Sequence, residues 1–332
     1  MKTVLFERVE KQDVLLTIED SNILKGVATC CVILSHAVYS AQAEGLLLSK
    51  PFVLLDQLGG VGVLIFFFLS GYGIYKGYGE REIGVSFILR RLKAILLPVL
   101  LIKLFLFTVA IICGRTYSLH DILLSFQSDW FIAVILAEYI LFYLSWAMPG
   151  TEAIKKRIII DFILNAFLIV LFVVIHMDPK WYNGLLLFPM GMLTARHEKH
   201  LIPYFCERWG FSAGICFVLF VLCGIFFMKL KGVWWADLLK TFAGFALGLL
   251  LCVLLTKVKF HLAVLNYIGI RSLYYYVIHV NLLAVLQVSF ARNLFGILLC
   301  TVVLSELFYR LTGKKGFYRL TGKGGKNDKQ KC

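Results

Sequence analysis

Apolar runs alternate with short polar connectors along almost the whole chain. Ten of them approach the ~20 residues that an α-helix needs to cross a hydrocarbon core about 30 Å thick. They cover residues 22–43, 54–75, 94–113, 130–148, 158–176, 181–195, 210–228, 233–256, 264–288 and 294–311. The pattern predicts an all-α, polytopic membrane protein of about ten transmembrane helices, because in lipid each backbone polar group must be satisfied within its own segment. Residues 1–21 then form an N-terminal segment, 22–311 the membrane domain and 312–332 a basic tail. The sixth run is short and contains Pro189 and Gly191, the composition of a kinked or partly re-entrant segment.

Composition narrows the class. Hydrophobic residues make up 60% and charged residues 16% of the 332, with a mean hydropathy of +0.83, a balance that excludes a soluble globule of this size. Met1 to Asp20 mixes acids, bases and apolar residues without an uninterrupted apolar core or a small-residue cleavage site, so the first span is expected to act as the insertion signal. The net charge of +14 would point to nucleic acid in a soluble protein. Here most of the bases fall in alternate connectors, including Arg81 to Lys93 and Lys155 to Arg157, and in the tail, so the positive-inside rule places both termini in the cytoplasm. Contact with anionic lipid accounts for the same bases, and no nucleic-acid partner is implied. The nine cysteines lie mostly inside apolar runs, without C-x-x-C or a His/Cys cluster at ligand spacing, so neither a disulfide framework nor a metal site is expected. The repeat Phe308-Tyr-Arg-Leu-Thr-Gly-Lys314 and Phe317-Tyr-Arg-Leu-Thr-Gly-Lys323 reads equally as a surface anchor and as a neutral duplication.

Chemistry concentrates in the few ionisable residues inside the apolar runs, where charge is costly enough to need a reason. In the first run, Lys25 and His36 are separated by ten residues. At 100° per residue they fall within about 20° of one face and about 16 Å apart along the axis, one at the membrane edge and one inside it. Glu138 lies mid-span, where it either orients a reacting group or pairs structurally with Lys103, Lys240 or Arg271. His279 and Arg271 share the ninth run but lie about 80° apart around it, so they need not act together. Tyr274, Tyr275 and Tyr276 read as an interfacial belt more readily than as a sugar-stacking surface. Asp237 and Lys240, three residues apart, suit an internal salt bridge, and His176 at a span end and the loop histidines are given no role.

Three segments resemble the acyltransferase 3 family, whose members O-acylate cell-surface sugars: Lys25-x10-His36, Gly62-Val-Leu-Ile-Phe-Phe-Phe-Leu-Ser-Gly71-Tyr72, and Phe87-Ile-Leu-Arg-Arg-Leu-Lys-Ala-Ile-Leu-Leu-Pro98. Asp129-Trp-Phe-Ile and Ile268-Gly-Ile-Arg-Ser-Leu-Tyr-Tyr-Tyr-Val-Ile-His279 extend the resemblance to about Asn293. It maps the family's R/K-x10-H motif onto Lys25 and His36, its F-F-x-L-S-G-F/Y signature onto Phe66 to Tyr72, and its R-x-x-R loop onto Arg90 and Lys93. Two positions depart from the pattern. Leu64 stands where many relatives carry an aspartate, and Lys93 replaces a bidentate guanidinium by a point charge.

The resemblance implies a membrane O-acyltransferase of a bacterial-type cytoplasmic membrane, with acetyl-CoA or a related acyl-CoA as cosubstrate and a cell-surface or lipid-linked glycan as acceptor. His36 is the expected general base, since a neutral imidazole can take a hydroxyl proton near pH 7; an acyl-histidine intermediate is the less economical alternative. Arg90 and Lys93 are expected to hold donor phosphates, against the plain reading that positive-inside bias puts bases there. Lys25 either contacts the anionic donor or snorkels to lipid phosphate. Ser70 and Tyr72 belong to the expected substrate surface, although small residues such as Ser70-Gly71 more often permit close helix packing. Glu138 and His279 complete the set. With only a short tail after its last span, the chain is expected to carry no soluble esterase-like domain of the kind some members attach. The rival reading is a translocator of polysaccharide or lipid-linked sugar without acyl chemistry, and the absence of a clear repeat between the halves weighs against it.

Overall fold

The computed structural model describes residues 6–8, 13–46, 49, 55–127, 129–148, 153–230, 233, 235–286, 289 and 292–313. They form the helices α1 (Ile18–Ala43), α2 (Gln57–Tyr78), α3 (Val85–Ile112), α4 (Leu119–Gln127), α5 (Trp130–Ala147), α6 (Ile154–Val174), α7 (Leu187–Glu207), α8 (Trp209–Lys229), α9 (Ala236–Leu255), α10 (Ala263–Ile270), α11 (Ser272–Leu286) and α12 (Leu294–Thr312). A short antiparallel ladder pairs β1 (Phe6–Arg8) with β2 (Val258–Phe260), Phe6 opposite Phe260. Among the described residues, α1, α2, α3, α5, α6, α8, α9 and α12 are each long and apolar enough to cross a membrane, and α10 and α11 together pass the same test as a bent pair, a broken span or a re-entrant loop. The protein is an all-α, polytopic membrane protein. The second copy of the tail repeat lies outside the described residues.

The sixth apolar run is helical but displaced from 181–195. It opens with a single 3-10 turn at Pro179–Trp181, and α7 then runs from Leu187 to Glu207, well past the apolar stretch. Pro189 falls in the first turn of α7, where a missing N–H breaks no intrahelical bond, so the kink expected there is not formed. The polar second half of α7 persists because Glu198 and Phe205 are buried on one side of it.

Contacts divide the chain into two compact units: Met1–Leu92 with Asp129–Ile270, and Lys93–Ser128 with Arg271–Cys332. In the first unit α1 begins at a capping box. Thr17 accepts from the Asp20 amide (3.1 Å), and the Asp20 carboxylate accepts from the Thr17 amide (2.9 Å). Asp20 also pairs with Lys259 of β2 at 2.6 Å, which fixes the start of the helix that carries Lys25 and His36.

Glycines then bring backbones together. A Cβ on Gly26 would fall on the Leu265 carbonyl and one on Gly269 on the Asn22 carbonyl, so α1 and α10 meet backbone to backbone. Gly71 and Gly191 do the same for α2 and α7, against the Phe188 and Phe68 carbonyls. Gly71 of the F-F-x-L-S-G segment is thus a packing residue. In the second unit, Lys103 is buried and donates to the Ser125 carbonyl (2.8 Å) and to Asn281 Oδ1 (2.6 Å), while Arg271 pairs with Glu306 at 2.7 Å.

Candidate active site

Lys25 and His36 are carried by one unbroken helix, and both are half-buried. Beside His36, Ser35 turns toward the start of α2, where its hydroxyl donates to the Asp56 carbonyl (2.6 Å) and more weakly to Asp56 Oδ1 (3.3 Å). Close packing permits this, since Gly59 lies against Ser35, where a Cβ would come within 2.5 Å of Oγ. The Asp56 carboxylate acts electrostatically on His36, so an acid does accompany the imidazole even though Leu64 occupies the position where an acid was sought.

At the other end of the helix face, Lys25 feels Arg91. The Arg91 guanidinium sits over three rings, at 5.1 Å from the centroid of Tyr78, 5.7 Å from Phe87 and 5.6 Å from Tyr139, a cation–π cage that holds it in place. Arg90 and Lys93, the expected pair, are exposed on α3. Tyr139 in turn lies within hydrogen-bonding range of Ser70. Lys25, Arg91, Tyr139 and Ser70 therefore form one chain of neighbours joining α1, α3, α5 and α2.

Tyr72 is buried and donates to Glu198 Oε2 at 2.6 Å while accepting from the Leu16 amide at 3.2 Å. Glu198 also pairs with Lys76 and accepts from the Leu15 amide at 3.4 Å. The hydroxyl is thus committed to a knot that ties Leu15 and Leu16, α2 and α7 together.

Glu138 is fully buried on α5. Its charged neighbour is Asp161 of α6, with Asn165 alongside, and neither of its carboxyl oxygens has a hydrogen-bond partner among the described residues. Asp161 is better served: it accepts from Ser145 (3.2 Å) and from the Asn165 amide (3.3 Å). The cations proposed as partners of Glu138 are engaged elsewhere, Lys103 with Ser125 and Asn281, Arg271 with Glu306, and Lys240 over the Phe227 ring at 5.6 Å. Lys240 is also within electrostatic range of Asp237, as the spacing of that pair suggested. His279, in the second unit, is buried, and its Nδ1 lies 2.6 Å from the Tyr275 carbonyl. A carbonyl only accepts, so Nδ1 carries a proton and donates it.

Sequence reasoning missed Arg91, Asp56, Tyr139 and Asp161. Arg91 carried a usable signal, because Phe87 precedes it by one helical turn and an Arg over an aromatic at that spacing is a stable surface pair. Asp56 carried none, since a lone acid near the start of the second apolar run does not show which helix it faces.

Stacked apolar helices around a half-buried lysine and histidine, with further acids between them, define a multi-pass membrane protein. A family model of an acyltransferase domain matches residues 18–310. The chain belongs to the acyltransferase 3 family and is a membrane-bound acyltransferase. No curated protein and no solved structure matches it.

Proposed function

We propose that the protein transfers an acetyl group from acetyl-CoA to a hydroxyl of a cell-surface or lipid-linked glycan, with His36 as general base. The observation that carries this reading is the single face of α1, which holds a cation beside Arg91 at one end and an imidazole beside Asp56 at the other. His36 takes the proton of the acceptor hydroxyl as its oxygen attacks the thioester carbonyl. The C–O bond forms, the oxyanion collapses, the C–S bond breaks, and the departing thiolate recovers the proton from the imidazolium. Asp56 favours the imidazolium that exists between those two transfers. Lys25 and Arg91, with the exposed Arg90 and Lys93, supply the positive charge that donor phosphates require on the cytoplasmic side, and an arginine caged by rings offers a fixed fork to phosphate oxygens. Tyr139 touches Arg91 and reaches Ser70, and these two hydroxyls are assigned to meet the developing oxyanion. Glu138, His279 and Tyr72 are assigned to the surroundings of the reaction, Tyr72 through the knot it ties with Glu198.

The test is mass spectrometry of envelope glycan for base-labile esters, in cells making the native chain, His36→Ala at equal membrane abundance, or no protein. Acetyl esters present only with the native chain support the reading. Normal glycan that carries no ester in any of the three cells overturns it, and loss of surface glycan itself would indicate transport.

A further inference from the structure

Two adjoining cavities open in the first unit beside the N-terminal turn of α2. The larger, about 660 Å³, is the more polar of the two: its lining is mixed and includes Gln57, Asp178, Lys180, Tyr182, Asp237 and Lys240 beside Val173 and Phe227, within the size range of about 300–1,000 Å³ typical of small-molecule sites. The smaller, about 170 Å³, is almost wholly apolar and runs between α6 and α9 along Ile169, Val170, Val174, Leu186 and Leu238. Tyr182, Asn183 and Asp237 belong to both. At that junction Tyr182 donates to Asp237 at 3.4 Å, and the buried Asn183 amide oxygen has no hydrogen-bond partner among the described residues. His176, which also lines the larger cavity, has φ of 55° and closes α6 in the left-handed position, so the wall turns sharply there.

The first turn of α2 is the wall shared with the candidate active site. Asp56, beside Ser35 and His36, immediately precedes Gln57 of the cavity. Gly59 packs on Ser35, and Gly60 packs on the other side against Lys240, where a Cβ would stand 3.4 Å from Nζ.

We propose that this pair of cavities is the acceptor site and that the acceptor is a lipid-linked sugar, its head in the polar cavity and the first part of its chain in the apolar slot. The proposal rests on the acyl-transfer reading for the use of the site, but not for its occupancy. Carboxylates, an amide oxygen and ammonium groups set around the faces of Tyr182 and Phe227 are the mixed donors, acceptors and rings that recognise a polyhydroxyl compound. A free saccharide would have no use for the slot. Its walls Val170 and Val174 are 59% and 66% exposed on a membrane-crossing helix, so a chain can enter from the bilayer without leaving apolar surroundings. By the positive-inside rule, the end of α6 that lines this cavity lies across the membrane from Lys155 to Arg157 at its start, which puts the sugar on the side opposite the donor phosphates.

The full chain in lipid nanodiscs would be labelled with an alkyl glucoside bearing a diazirine in its tail, against the same diazirine alkane with no sugar. Label from the glucoside alone should collect on residues 169–174 and be competed by unlabelled alkyl glucoside but not by free glucose. Asp237→Asn, which spoils the head contacts, and Val170→Trp, which fills the slot from an exposed position, should each cut it about tenfold. Equal labelling by both probes, or labelling indifferent to Asp237→Asn and Val170→Trp, overturns the proposal. Because this readout is binding, its outcome is independent of whether His36→Ala abolishes ester formation, and the two readings fail separately.

Discussion

Glu198 and Glu138 are both buried carboxylates in the first unit, and their surroundings differ in kind. Around Glu198 every polar group is used: Lys76 supplies the charge, Tyr72 a hydroxyl, and Leu15 a backbone amide. Around Glu138 there is a second acid, an amide already turned toward that acid, and no hydrogen-bond partner for either oxygen among the described residues. A satisfied buried network rigidifies a fold, whereas an unsatisfied one costs free energy that only another requirement can justify. The first region is built for stability; the second is where stability has been given up.

Substitutions should separate the two regions. Glu198→Ala leaves Tyr72 and the Leu15 amide short of a partner and should lower stability by about 2–3 kcal/mol, discounted because Lys76 is partly exposed; a thermal melt in detergent would register it, and the surviving folded fraction should retain its acyl-transfer rate. Gly71→Val drives a side chain into the Phe188 carbonyl and should cost about 2 kcal/mol by the same melt, again without a specific loss of turnover. Glu138→Gln should do the reverse. The new amide can donate to the unpartnered Asn165 oxygen, so the melt should hold or rise, while ester formation falls about tenfold, near 1.4 kcal/mol. A destabilised Glu138→Gln with unchanged turnover would put Glu138 in the same category as Glu198. Arg91→Lys is the smallest expected change: the charge stays but the planar stack over three rings is lost, and the Michaelis constant for the acyl donor should rise about threefold with the maximal rate preserved.

The helices were legible because crossing a membrane leaves so little freedom, and each of the ten apolar runs does contain helix. What failed was the edge of the sixth, where a polar amphipathic half extends α7 beyond the apolar signal to Glu207. The shared face of Lys25 and His36 needed only helical arithmetic. Partnerships between helices were another matter. The expected partners of Glu138 were cations, chosen because opposite charges attract, but the chain folds Asp161 and Asn165 against it, and no rule of sequence anticipates two acids placed together. The motif pointed to Arg90 and Lys93, while its neighbour Arg91 is the arginine held by rings. A motif records which positions matter in a stretch without recording which way each one faces.

The glycine seams that hold α1 to α10 and α2 to α7 contrast with α6, which buries only Ile158, Asp161 and Asn165. Helices joined backbone to backbone cannot tilt independently, but loosely held ones answer to the thickness of the lipid around them. A thinner or thicker bilayer therefore changes the slope of α6 before it disturbs α1. Since α6 carries Asp161 and Asn165, a change in lipid thickness reaches the acid beside Glu138 before it reaches His36.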